Sequence, residues 1–236
     1  MPNQDDLLKE VATFGQTCLE KFPVIVLGSG SSIPYDLPSM DKLKSEIGDI
    51  SLQGEMVKHQ PCLDKLKEEL KSKDLETALS SIDSNNELQN LIRTKIWKVI
   101  NDADLRLRDQ LLSDTSSLSL IKLFNHQLRS TNNSLSIVTT NYDRVAEYAA
   151  DLTRHFWFTG FTHGHIWTLK DLPETLNIRA RIQAGHDKYI QVWKVHGSLD
   201  WFKPKEGDSV KAAPNCANIP CGFLPCIIPP KCQQIC

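Results

Sequence analysis

Apolar residues recur at helical spacing over residues 5–21, where Leu7, Leu8, Val11, Phe14, Cys18 and Leu19 fall on one face. Phe22-Pro23 ends that pattern, since proline cannot donate into a continuing helix. The period then changes. Val24-Ile25-Val26-Leu27 is a largely β-branched run without polar interruption, which predicts a short strand buried on both faces. Small residues follow at once, Gly28-Ser29-Gly30-Ser31-Ser32, and a helical pattern resumes from Pro38 (PSMDKLKSEI). Strand, small-residue turn and helix in that order are the opening of an α/β nucleotide-binding fold.

From about 55 to 132 the pattern is helical almost throughout. Leu63, Leu66 and Leu70, then Leu75, Leu79 and Ile82, then Leu88, Leu91, Ile92, Ile96 and Val99 recur at three and four. Leu118, Leu120, Ile121, Phe124 and Leu128 form one more stripe. Such stripes predict core faces, so this stretch reads as a helical insertion or second lobe. Strand-like residues return at 135–140 (LSIVTT) and end in Asn141-Tyr142-Asp143, with a helix to follow (RVAEYAADL). A β-rich aromatic stretch covers 155–169, and KYIQVWKV over 188–195 ends in His196-Gly197-Ser198. The expected fold class is α/β, a Rossmann-like parallel sheet with a large helical insertion. Residues 1–54 and 133–236 form the core, and 55–132 the insertion.

Composition excludes several classes. The 236 residues carry 29 acidic and 27 basic side chains, a formal charge of −2. That balance argues against a nucleic-acid platform. No run approaches the roughly 18 apolar residues of a membrane span. MPNQDDLLKEV lacks a basic and then apolar leader, which predicts a cytoplasmic protein.

Three strand ends carry candidate chemistry. Gly28-Ser29-Gly30 permits close backbone approach to an anion near a helix start, yet Ile33 stands where a dinucleotide fingerprint has its third glycine. A tight turn with serine capping explains these residues equally well. Asn141 offers an amide that can donate and accept at a strand end, and Asn141 or Asp143 could instead cap the next helix. His196 has the side chain best matched to proton transfer near neutral pH, or it is a buried structural histidine. His163-Gly164-His165 resembles a metal pair but lacks an evident third ligand, so no metal is expected. Together the three ends fit a nucleotide site with a general base.

These segments resemble the motifs of sirtuin-like domains. VIVLGSGSSIPYDLPSM is similar to the first motif, IVTTNYD to the second and VWKVHGSLDWF to the third, in the family's order and with a long helical insertion between the first two. FLPCIIPPK is similar to a segment that follows in the bacterial branch. The tyrosine in TTNYD and the KVHGSLDW form look more like bacterial anti-phage defence NAD hydrolases than protein deacylases. The absence of any Cys-x-x-Cys pair points the same way.

The resemblance implies cleavage of NAD+, as substrate, to nicotinamide and ADP-ribose in an abortive-infection response. Gly28, Ser29, Gly30 and Ser31 would cradle the pyrophosphate, with Thr140 nearby. Leu37 and Pro38 would wall the nicotinamide end and Asp143 would hold its carboxamide. Asn141 would orient ribose hydroxyls or the attacking water. His196 would be the general base through an oxocarbenium-like state. A homo-oligomer or a partner such as an ATPase is implied too. The alternatives are a non-catalytic module sensing NAD or ADP-ribose, and an NAD-dependent deacylase. The family continues past the Pro-Pro segment into a further strand, so the resemblance implies either that the chain is a fragment of a longer protein or that the last turn of the fold is replaced at the C-terminal end. Five of seven cysteines crowd there: Cys216, Cys221, Cys226, Cys232 and Cys236. In a reducing compartment without paired spacing they are expected to be free thiols.

Overall fold

A computed structural model of the chain describes residues 4–20, 23–80, 86–128, 133–153, 155–161, 167–168, 188–206 and 209–227. The elements begin with α1 (Gln4–Glu20), β1 (Ile25–Leu27), α2 (Met40–Gly48), α3 (Gln60–Leu70), α4 (Leu75–Ser80), α5 (Asn86–Ser113) and α6 (Leu120–Gln127). They continue with β2 (Ser134–Thr139), α7 (Val145–Leu152), β3 (Phe156–Phe158), β4 (Trp167–Thr168), β5 (Tyr189–Lys194), β6 (Gly197–Pro204), β7 (Lys211–Ala212) and β8 (Phe223–Ile227). Two four-stranded sheets result. One is wholly parallel with order β1-β2-β5-β3, and the other is antiparallel with order β4-β7-β6-β8. The fold is mixed α/β around a parallel sheet, an arrangement compatible with a Rossmann-like fold. No described helix is long and apolar enough to cross a membrane.

The alternation along each parallel strand decides which face is covered. Leu135, Ile137, Ile190 and Val192 are buried and pack with Phe124 and Leu128 of the α6 region and with Val145, Ala149 and Ala150 of α7. The opposite phase is bare. Val24, Val26, Trp193 and Val195 are exposed, Val26 to 71%. The run 24–27 is therefore not buried on both faces as its unbroken apolar pattern predicts. Its strand lies at the sheet edge, paired with β2 alone, and nothing described covers its outward phase. The helix of residues 4–20 forms as its spacing predicts, but Leu7, Leu8, Val11 and Phe14 also face outward.

The leucine stripes do become core. Leu63, Leu66, Leu70, Leu75, Leu79, Leu88, Ile92 and Ile96 are buried with Leu43 and Ile47 of α2 and with Leu199, Phe202 and Ile227 of the antiparallel sheet. Ile82 lies outside the described residues. The 28-residue α5, about 42 Å long, serves two cores. Its first half packs in this cluster, whereas Ala103, Leu107 and Leu111 pack with the parallel sheet. Trp97 adds a polar tie, its indole Nε1 donating to the Leu199 carbonyl at 2.8 Å.

A buried ion cluster joins these layers. Arg144, 2% exposed just before α7, donates through Nε to Asp200 Oδ1 of β6 at 2.7 Å. Its Nη1 meets Asp104 Oδ2 of α5 at 2.5 Å, and Nη2 donates to Asn101 Oδ1 at 2.9 Å. Its backbone amide also donates to Asp104 Oδ1, and the Tyr148 hydroxyl donates to Asp104 Oδ2. On the far side, Asp200 Oδ1 accepts from the Asn215 amide and Asn101 Nδ2 donates to the Cys216 carbonyl. Burial works against the guanidinium charge, but Asp104 and Asp200 outweigh it and hold its pKa above the ordinary value. Burial and Asp104 push the Tyr148 hydroxyl up as well, so it stays a donor.

Arg144→Met strands two buried carboxylates and is expected to cost about 3–5 kcal/mol in urea denaturation, since losing one partner of a buried pair leaves uncompensated charge. Gly197→Ala is expected to cost at least about 2 kcal/mol by the same measurement. Gly197 has φ of +95°, and a Cβ there would stand 1.8 Å from the Cys226 carbonyl oxygen.

Candidate functional site

Parallel strands end on the same edge, and the register makes these ends coincide. Leu27 pairs with Thr139, and Thr139 with Lys194. One residue further, Thr140 N donates to the Leu27 carbonyl at 3.3 Å and Val195 N to the Thr139 carbonyl at 3.1 Å. The chain therefore leaves the sheet at Gly28, Thr140 and Val195 side by side. That is the edge at which open α/β sheets bind ligands. The three segments singled out in the sequence are brought together here.

The first segment is a tight turn. Gly28 is extended, and Ser29–Ser31 form a single 3-10 turn in which Ser31 N and Ser31 Oγ both donate to the Gly28 carbonyl, at 2.9 and 2.7 Å. Gly28, Ser29 and Gly30 are exposed, whereas Ser32 is buried. Neither Gly28 nor Gly30 has a left-handed φ, and a Cβ at either would meet nothing within 4 Å. The fold itself does not demand glycine at these positions. The space above the turn is open, which suits close approach by a group from outside.

Asn141 closes the turn against β2. Its Nδ2 lies 2.9 Å from the Gly28 carbonyl, 2.9 Å from Ser32 Oγ and 3.3 Å from Ser31 Oγ. Its backbone amide is held by Thr139 Oγ1 at 3.0 Å. Thr140 beside it is exposed. Asp143 turns inward instead. Its Oδ1 accepts from Val145 N at 3.1 Å at the start of α7, and its carboxyl also takes a hydrogen bond from the Ser32 side chain. Burial pushes this carboxyl up, against the opposing pull of Lys194. Leu37 is buried with Leu27 in the sheet core, Pro38 is half-buried, and Ser39 caps α2 by accepting from Lys42 N at 3.3 Å.

His196 is half-buried between β5 and β6, two residues beyond Lys194. β6 is stitched to the second segment, with Leu199 N donating to the Tyr142 carbonyl at 3.0 Å. His163 and His165 lie outside the described residues, as do Cys232 and Cys236.

Three residues beneath the edge were not anticipated. Ser32 links Asn141 to Asp143. Lys194 and Glu147 form a buried pair, Nζ to Oε1 at 3.0 Å, and the ammonium also donates to the Asp143 main-chain carbonyl. Burial pushes the Glu147 carboxyl up, while Lys194 opposes that shift. One signal was present in the sequence. Lys194 falls on the inward phase of Ile190 and Val192, and Glu147 sits among the apolar residues of a short helix.

No family model matches the chain, and no curated protein matches it either.

Cys216, Cys221 and Cys226 are free. Burial pushes the Cys226 thiol up to about 11, so at pH 8 it stays protonated, whereas Cys221 is exposed. Iodoacetamide at pH 8 is expected to label Cys221 at least about tenfold faster than Cys226, read by peptide mass spectrometry.

Proposed function

We propose that the chain is a sirtuin-like NAD+ glycohydrolase, releasing nicotinamide and ADP-ribose, and that it serves bacterial anti-phage defence. The supporting observation is the shared edge, where the open Gly28–Ser31 turn, the Asn141 amide and the His196 backbone leave one sheet together. The turn offers backbone and hydroxyl donors to a pyrophosphate, and its two glycines keep side chains out of the way. Thr140 lines the same edge, and Leu37 with Pro38 would wall the nicotinamide end.

His196 takes a proton from water as the water oxygen bonds to ribose C1′ and the bond to the nicotinamide nitrogen breaks. The products are nicotinamide, ADP-ribose and a proton. Asn141 orients the ribose hydroxyls or the water. Asp143, which accepts from Val145 N and the Ser32 side chain here, has further acceptor capacity with which it would hold the carboxamide.

A second reading draws on one observation, that both N–H groups of the Asn141 amide are taken up by the turn, where three acceptors lie within 3.3 Å of Nδ2. On that reading the edge binds NAD or ADP-ribose without cleaving it. Incubation with NAD+ and chromatography of nicotinamide separates the two. The hydrolase reading expects release without any acylated peptide, falling at least about 100-fold in His196→Ala and in Asn141→Ala. Binding without release favours the sensing module, and release that requires an acylated peptide favours a deacylase.

A further inference from the structure

Resting on that reading of the strand edge, we propose that Lys194, paired with Glu147, is a positioning residue that fixes the strand ends bearing Asn141 and His196 in the relation turnover requires. Lys194 lies two residues before His196, and Asp143 two residues after Asn141. The Lys194 ammonium donates to the main-chain carbonyl of Asp143, so one side chain ties the end of β5 to the loop that leaves β2.

Core packing gives no reason for a lysine there. Its side chain is fully buried, on the same phase as Ile190 and Val192, where an apolar residue would continue the sheet core without any desolvation cost. Its partner is incompletely satisfied. Glu147 Oε1 meets the ammonium at 3.0 Å, but Glu147 Oε2 is buried with no hydrogen-bond partner among the described residues. The carboxyl also takes a hydrogen bond from its own backbone amide, and a buried oxygen left without a partner calls for an explanation beyond packing. What the arrangement secures is a charged donor aimed at the backbone of the site loop. Ser32 extends the same chain of contacts, donating to Asp143 and accepting from Asn141 Nδ2. Asn141 is thus held from the loop side, and the strand carrying His196 from the lysine side.

The test removes both charges of the pair together, because Lys194→Met alone leaves Glu147 buried without its counter-charge. The Lys194→Met/Glu147→Gln protein is expected to fold with a thermal midpoint close to that of the parent. Its KM for NAD+ is expected to stay within threefold, while kcat for nicotinamide release drops at least tenfold. Amide hydrogen exchange over residues 140–145 is expected to accelerate at least tenfold. Should this pair not fold, Lys194→Gln/Glu147→Gln keeps both side chains polar and takes its place.

Unchanged kcat in a parent that turns over NAD+, or unchanged exchange at 140–145, overturns the proposal. So does a parallel collapse of KM, kcat and thermal midpoint, or failure of both pairs to fold, since either assigns the contact to folding. A parent protein that releases no nicotinamide sinks the hydrolase reading by itself. The exchange measurement then still decides whether Lys194 fixes the loop.

Discussion

Arg144 keeps its charge inside the protein because carboxylates reach it from two separate parts of the fold. Asp104 comes from the middle of α5 and Asp200 from β6, and Asn101 and Tyr148 complete the shell. A buried guanidinium is tolerated only when its donors are matched in this way. The consequence is geometric. α5 serves two cores, and the cluster sits where its two halves change allegiance. The antiparallel sheet, the long helix and the start of α7 are fixed to one another at that point. The loop carrying Asn141 and Asp143 emerges immediately before Arg144, so its direction follows from the same anchor.

That anchor also separates two kinds of polar burial. Around Arg144 the hydrogen bonds are extensive, reaching out to Asn215 and Cys216 in the turn beyond β7. Around Lys194 they are sparse, and Glu147 Oε2 has no hydrogen-bond partner among the described residues. The first arrangement is what holding layers together demands. The second places charge under a strand edge, where stability alone gives no account of it.

Much of this was legible in the pattern of the chain. The three strand ends with Gly28, Asn141 and His196 could be read because short apolar runs followed by small or polar residues mark the carboxyl ends of buried strands. The leucine stripes from Leu63 to Ile96 gave their burial through periodicity alone. The exposure of Val24 and Val26 in the run 24–27 was not legible, since an unbroken apolar run does not say whether anything covers a sheet face, and Trp193 on central β5 shares the exposed face of Val26. The antiparallel sheet went unseen, because β4 and β7 are two residues each and carry no period. Ion clusters were hidden for another reason. Asp104 and Asp200 lie 96 positions apart in the chain and acquire a common partner only in three dimensions.

The register that aligns Leu27, Thr139 and Lys194 has a kinetic side. β1 and β2 are neighbours in space, yet more than a hundred residues separate them, most of the described ones helical. Loop closure over that distance adds little to the equilibrium cost, about 0.6 kcal/mol for each doubling of length. It weighs instead on the search, because sheets paired across long separations form slowly. The helices between can gather locally while the chain is still emerging from the ribosome. The edge cannot, since its last strand ends only at residue 194. Whatever chemistry this edge performs is withheld from the nascent chain until the residues through 194 have been made.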